Sequence, residues 1–107
     1  MSTFNEREKG FEKKFERDQE TLFKVNARRN RLLGAWAAEK LGLTGEEADA
    51  YAKSVVVADF EKPGDDDVLQ KVLGDLTAKG VAVSEHQVRK QMDALLAVAQ
   101  EQIASQA

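Results

Sequence analysis

Residues 32–48 read LLGAWAAEKLGLTGEEA, and the fold turns on where this stretch is divided. Leu32, Leu33, Trp36, Ala37 and Leu41 recur at helical spacing and then meet Gly42, a residue that takes the left-handed C′ position of a helix end without a Cβ penalty. Leu43 follows where the hydrophobic contact of such an end belongs. Thr44 with Glu47 three residues on, and Leu43 with Ala48, then supply an N-cap, its capping-box partner and a hydrophobic staple. The stretch is predicted to be the end of one helix, a tight turn and the start of the next.

Upstream, the period continues through Arg29, Val25 and Leu22, so the first helix covers Asp18 to Leu41. Downstream, the second helix presents Ala48, Tyr51, Ala52, Val55, Val56, Asp59 and Phe60 along one side. Residues 61–67, EKPGDDD, break it: Pro63 disfavours helix at Lys62 and Gly64 adds freedom. Asp65 is the expected N-cap of a third helix, with Asp66 and Asp67 in the first turn, where the helix dipole favours carboxylates. That helix buries Val68, Leu69, Val72, Leu73 and Leu76 and stops at Gly80. Val81 to Val83 resembles a strand, but with no second strand to pair with it reads as a connector. Ser84 with Gln87 opens a fourth helix, stapled by Val83 and Val88, whose apolar stripe is Val88, Met92, Leu95, Leu96, Ala99 and Ile103. Four amphipathic helices on short turns give an all-α four-helix bundle over residues 19–107.

Composition agrees. The chain has 107 residues, one proline, seven glycines and no cysteine, so disulfides, thiol catalysis and cysteine-held metals are excluded and the core rests on burial alone. No stretch approaches the roughly 20 apolar residues of a membrane span, and the start lacks the apolar centre of a secretory signal. A cytoplasmic protein, monomeric when free and without direct membrane insertion, is expected. The net charge of −3 is unevenly spread: residues 1–31 hold nine basic and six acidic residues, the remainder seven basic and thirteen acidic. A basic front on an acidic body suits an oriented partner surface. Nucleic acid is not the expected partner, because the front's cations alternate with carboxylates.

Catalytic chemistry has little to work with. His86 is the only histidine and falls in the first turn of the fourth helix, where the dipole opposes its protonation, so it reads as a surface or cap residue. No Ser-His-Asp set, phosphate-cradling glycine loop or histidine metal pair can be assembled, and no cofactor is expected. Asp65, Asp66 and Asp67 diverge around a helix start and are not spaced as cation ligands. Arg28, Arg29 and Arg31 are candidates for binding an adenine nucleotide weakly through its phosphates. Consecutive helical residues point around the cylinder, so at most two could grip one phosphate, and a solvated basic face is the plainer reading. Trp36 and Tyr51, at helical spacing, read as core.

The first residues differ from all this. MSTFNEREKGFEKKFERD places Phe4, Phe11 and Phe15 at helical spacing, in line with Leu22, among five basic and five acidic residues with Gly10 between them. So few apolar anchors do not offset the ordering entropy of so polar a segment. Residues 1–18 read as an arm, flexible or partly helical, that becomes helical where a partner covers its phenylalanines.

Three separated motifs, FNEREKGFEKKF, ARRNRLLGAWAAEKLGLTG and ADAYAKSVVVADFEKPGDDDVLQKV, resemble in order and over nearly the whole length the ζ-type inhibitor subunit of the F1-ATPase of alphaproteobacteria. The resemblance implies a four-helix bundle carrying an inhibitory arm that wedges as a helix into a catalytic α/β interface near the γ shaft and blocks rotation during ATP hydrolysis. The implied partners are the α, β and γ subunits, met at the cytoplasmic face of the inner membrane, and the protein is not itself an enzyme. The arm positions that carry over are Phe4, Asn5, Arg7, Glu8, Phe11, Lys14, Phe15 and Arg17. A small adenine-nucleotide-binding protein, or an interaction scaffold for some other complex, is the alternative.

Overall fold

Four helices follow one another: α1 (Ser2–Lys40), α2 (Gly45–Glu61), α3 (Asp65–Ala78) and α4 (Glu85–Gln106). The computed structural model describes the backbone of residues 2–61 and 64–106 and the side chains of residues 19–59 and 64–105. Among the described residues there is no strand, and residues 81–84 join α3 to α4 as an irregular connector.

The ends of α1 and α3 are built alike. Gly42 takes φ +77 and Gly80 φ +85, the left-handed conformation that glycine reaches most cheaply. Leu43 N–H donates to Ala38 O at 2.9 Å and Gly42 N–H to Glu39 O at 3.1 Å; Val81 N–H donates to Leu76 O at 2.9 Å and Gly80 N–H to Thr77 O at 3.0 Å. Both are Schellman ends, which satisfy carbonyls the helix leaves without partners. At the start of α4, Ser84 N–H donates to Gln87 Oε1 at 2.8 Å and Gln87 N–H donates to Ser84 Oγ at 3.2 Å, a complete capping box.

The two other helix starts depart from expectation. Gly45 has φ +57, which turns the chain just after Thr44, and among the described residues no hydrogen bond joins Thr44 to Glu47. At α3 the cap position belongs to Gly64, with φ 145 and no side-chain cap bond. Asp65 is therefore the first helical residue, and its carboxylate is drawn to α1 instead of its own backbone.

Helix α1 packs against each of the other three. Leu33, Val55, Val68, Leu69, Val72, Leu76 and Val88 are fully buried, with Ala37 and Met92 beside them, and Trp36, Leu41, Tyr51, Leu73 and Leu95 close the margins. Removing each large side chain from water contributes roughly 1.5–3 kcal/mol. Phe60 lies outside the described side chains. The α1–α2 contact is unusually close: a Cβ built on Gly34 would stand 2.5 Å from the Cα of Ala52. Only a residue without a side chain fits at that crossing.

Helices α1 and α4 run antiparallel, with Arg28 meeting Gln102 near one end and Trp36 and Lys40 bordering Val83 and Gln87 near the other. At 1.5 Å per residue α1 is about 58 Å long and α4 about 33 Å. The mismatch leaves α1 overhanging. The radius of gyration is accordingly 17.3 Å, where a compact chain of this length has about 13 Å.

Candidate functional site

Packing along α1 begins abruptly. Residues 19–24 are all exposed, Leu22 and Phe23 by 59% and 55%, and Val25 is the first buried position among the described side chains. From there the stripe expected from the sequence is met at Val25, Arg29, Leu33 and Ala37, all buried. The partner-binding candidates Phe4, Asn5, Arg7, Glu8, Phe11, Lys14, Phe15 and Arg17 sit on the N-terminal part of α1, and their side chains lie outside the described residues.

The three arginine candidates are separated. Arg29 turns inward and is 3% exposed; its Nε and Nη2 donate to Asn30 Oδ1 at 3.1 and 2.9 Å, and Nη2 also donates to Asp65 Oδ1 at 2.9 Å. Asn30 is itself fully buried, and its Nδ2 has no hydrogen-bond partner. This group ties α1 to the first turn of α3, so the charge of Arg29 is committed to the bundle. Arg28 reaches α4, donating to Gln102 Oε1 at 3.0 Å. Arg31 stays exposed.

Arg28 and Arg31 meet again along a groove of about 880 Å³ between α1, α2 and the last turns of α4. Lys24, Arg28 and Arg31 follow one another along α1 at i, i+4 and i+7, which places them in a row, and Lys53 of α2 joins them across the groove. Among the described residues Asp49 is the one carboxylate lining it; Phe23, Val56 and Ile103 supply apolar wall. The Lys24 row is readable in the sequence as a helical face, once attention moves off the consecutive run 28–31. Lys53 is not, because only the α1–α2 pairing brings it there.

The remaining polar groups are structural. Tyr51 Oη donates to Asp75 Oδ2 at 2.8 Å, and Lys71 Nζ donates to the same oxygen at 3.1 Å while lying 5.4 Å from the Tyr51 ring centre. Burial first, then the bond to Asp75, raises the Tyr51 pKa well above its ordinary value of 10.0. Trp36 is half-buried against the core with Lys40 5.1 Å from its ring. His86 is exposed in the first turn of α4. Asp66, the middle aspartate, accepts from Arg89 at 3.0 Å, an exposed pair of little energetic weight. Among the described residues no group of three or more His, Cys, Asp or Glu is placed to hold a metal, and no helix is long and apolar enough to cross a membrane.

A structure solved by NMR in solution is 50% identical to the chain, with a TM-score of 0.69, over 79% of this chain and 96% of the other. No match was found among curated proteins. The family model of ATPase inhibitor subunit zeta matches residues 1–102. The chain belongs to the ATPase inhibitor subunit zeta family, which ties it to inhibition of an ATPase and to interaction with ATP synthase.

Proposed function

We propose that this protein inhibits ATP hydrolysis by the F1-ATPase of its own organism through residues 1–18, which enter a catalytic α/β interface as a helix near the γ shaft. The observation that carries the reading is the helical backbone of α1, continuous from the packed segment out to Ser2. Forming a first helical turn is the costly step and adding further turns is not. A stretch fixed by the bundle core from Val25 onward serves as the nucleus for the arm. Phe4, Phe11 and Phe15 then supply apolar anchors on one face, and Asn5, Arg7, Glu8, Lys14 and Arg17 set register and orientation.

Inhibition by such a wedge needs no chemistry. A rotary catalyst must pass each interface through open and closed forms, and a helix that binds one form more tightly than the others shifts the population toward it. Rotation stops for as long as the helix stays. The bundle, held at the cytoplasmic face of the membrane by that contact, acts as a carrier, and residues 1–18 and 19–107 form two functional parts. The nucleotide alternative has less support, since Arg29 is spent on Asp65 and Asn30 and only Arg28 and Arg31 of its three arginines share a surface.

The test is ATP hydrolysis by purified F1 from the same organism, titrated with the full chain and with a version lacking residues 1–17 whose helicity is checked by circular dichroism. Inhibition by the full chain alone is the expected result. Equal inhibition by both would remove the arm from the mechanism.

A further inference from the structure

The groove between α1 and α2 has a charge opposite to that of the molecule that carries it. The chain as a whole is at −3, whereas among the described residues Lys24, Arg28, Arg31 and Lys53 line the groove against one carboxylate, Asp49. We infer that this groove is a second docking surface, which holds an acidic protein segment on the outer face of the ATPase where the arm enters. The inference rests on the inhibitor reading and adds to it a bundle face and the chemistry of what that face meets.

Three observations point the same way. The first is position. Arm and groove lie on one helix, and Lys24 follows Phe15 by nine residues, about 14 Å along the axis. A partner that encloses the arm therefore brings its own rim to Lys24.

The second is spacing. Lys24, Arg28 and Arg31 are one turn apart, so their charges extend roughly 10 Å along the groove. That length matches carboxylates on successive turns of an acidic helix, or on alternate residues of an extended chain. A phosphate group asks for convergent donors and commonly for backbone N–H groups at a helix start or a glycine-rich turn. The lining comes from residues 21–31 and 49–56, past the first turns of α1 and α2, and from 103 in the last turn of α4, where carbonyls and not N–H groups are free, and Asp49 lines the same groove.

The third is the wall. Phe23, 55% exposed, stands at the end of the groove nearest the arm, with Ile103 and Val56 along it. Apolar contacts flanked by cations are what a protein segment uses for affinity and orientation together. Charge at the rim of an interface acts chiefly on the association rate, which should fall as salt rises.

Full-length variants and purified ATPase from the same organism test this by surface-based binding kinetics at low and physiological salt. Lys24→Glu/Arg31→Glu/Lys53→Glu changes exposed positions, and circular dichroism confirms the fold. Its association rate should drop at least tenfold at low salt and lose its salt dependence, with the alanine triple variant between it and wild type. Phe11→Asp/Phe15→Asp should abolish inhibition yet leave weak, salt-sensitive binding through the groove. An unchanged association rate in the charge-reversed protein would overturn the inference while leaving the arm reading intact. It is overturned as well if charge reversal spares ATPase binding and removes chemical-shift changes induced by ADP at Lys24, Arg31 and Lys53, which would make the groove a nucleotide site. Failure of wild type to bind or inhibit the ATPase at all would sink the inhibitor reading and this one with it.

Discussion

Helix α1 has two halves that share one backbone and little else. From Val25 to Lys40 it is the bundle's central element, with Val25, Leu33, Ala37 and Ala38 buried and Gly34 almost touching α2. From Gln19 to Lys24 every side chain is exposed, apolar ones included. The difference shows that apolar periodicity on a helix states which face will be covered, not by what. The covering elements are the protein's own helices in the second half. In the first half Leu22 keeps the period and is left uncovered.

The sharpest way to break that comparison is to make the same change on both sides of it. Leu33→Ala removes a fully buried side chain and should cost roughly 2–5 kcal/mol of stability, as large-to-small core changes do. Leu22→Ala removes one that is 59% exposed and should stay within about 0.5 kcal/mol. Its effect should instead appear as weaker inhibition of ATP hydrolysis. Urea unfolding and an inhibition titration on both proteins decide it: a large stability loss at Leu22 would mean that the bundle covers it after all.

Gly34→Ala probes the closeness of the packed half. The new methyl would meet Ala52 at its Cα, Cβ and carbonyl, none of which is the end of a flexible chain. The helices must separate, and the expected cost lies toward the upper end of the roughly 1–3 kcal/mol typical of overpacking. Gly74, where nothing stands within 4 Å of an added Cβ, is the control. There alanine should stabilise α3 by about 0.5–1 kcal/mol through helix propensity. Thermal denaturation of the pair checks both signs.

Much of this was legible in the sequence because it is local. Gly42, Gly80 and Ser84 sit within five residues of the groups they bond, so chain spacing alone identifies two Schellman ends and a capping box. The stripes of α3 and α4 are likewise a matter of period. What escaped depends on which helices are neighbours. Ala38 and Asn30 are buried because α1 is flanked on three sides, which widens its covered face beyond one stripe. Arg29 was readable twice, as a stripe position and as part of a cationic run, and the stripe was the correct reading. The destination of its charge, Asp65, lies 36 residues away. Asp65 in turn was expected to cap α3 and was drawn to α1 instead. Lys53 reaches the groove only through the α1–α2 pairing, which no local rule supplies.

Arg29 also tests how the packed half holds a charge. In Arg29→Met, Asn30 Oδ1 loses both of its guanidinium donors inside the core, which should cost on the order of 1–2 kcal/mol. Arg29→Met/Asn30→Leu removes the stranded amide as well and should recover part of that loss, since neighbours in one network are not additive. A double mutant less stable than the sum of the singles would show that shape, not polar satisfaction, governs this site.

The smallest effect concerns pH and again separates packed from exposed chemistry. Tyr51 holds its proton in the folded state because burial and the bond to Asp75 disfavour the phenolate. In the unfolded chain it titrates near its ordinary value of 10.0. Above that pH the unfolded state has lost a proton that the folded state keeps, so the unfolded state binds fewer protons and stability falls as pH rises. The stability from this group is thus fully present below about pH 10 and is lost above it. Tyr51→Phe removes the bond and should cost about 0.5–1.5 kcal/mol near neutrality, and its melting temperature should decline less steeply than wild type between pH 9 and 11. The Tyr51 side chain lies in the bundle between α2 and α3, away from the exposed residues 19–24 of α1, so inhibition near neutral pH should not follow it. A Tyr51→Phe protein that kept the wild-type alkaline slope would place the titrating group elsewhere. A loss of inhibition at unchanged stability would mean that the packed and presented parts of the molecule are coupled.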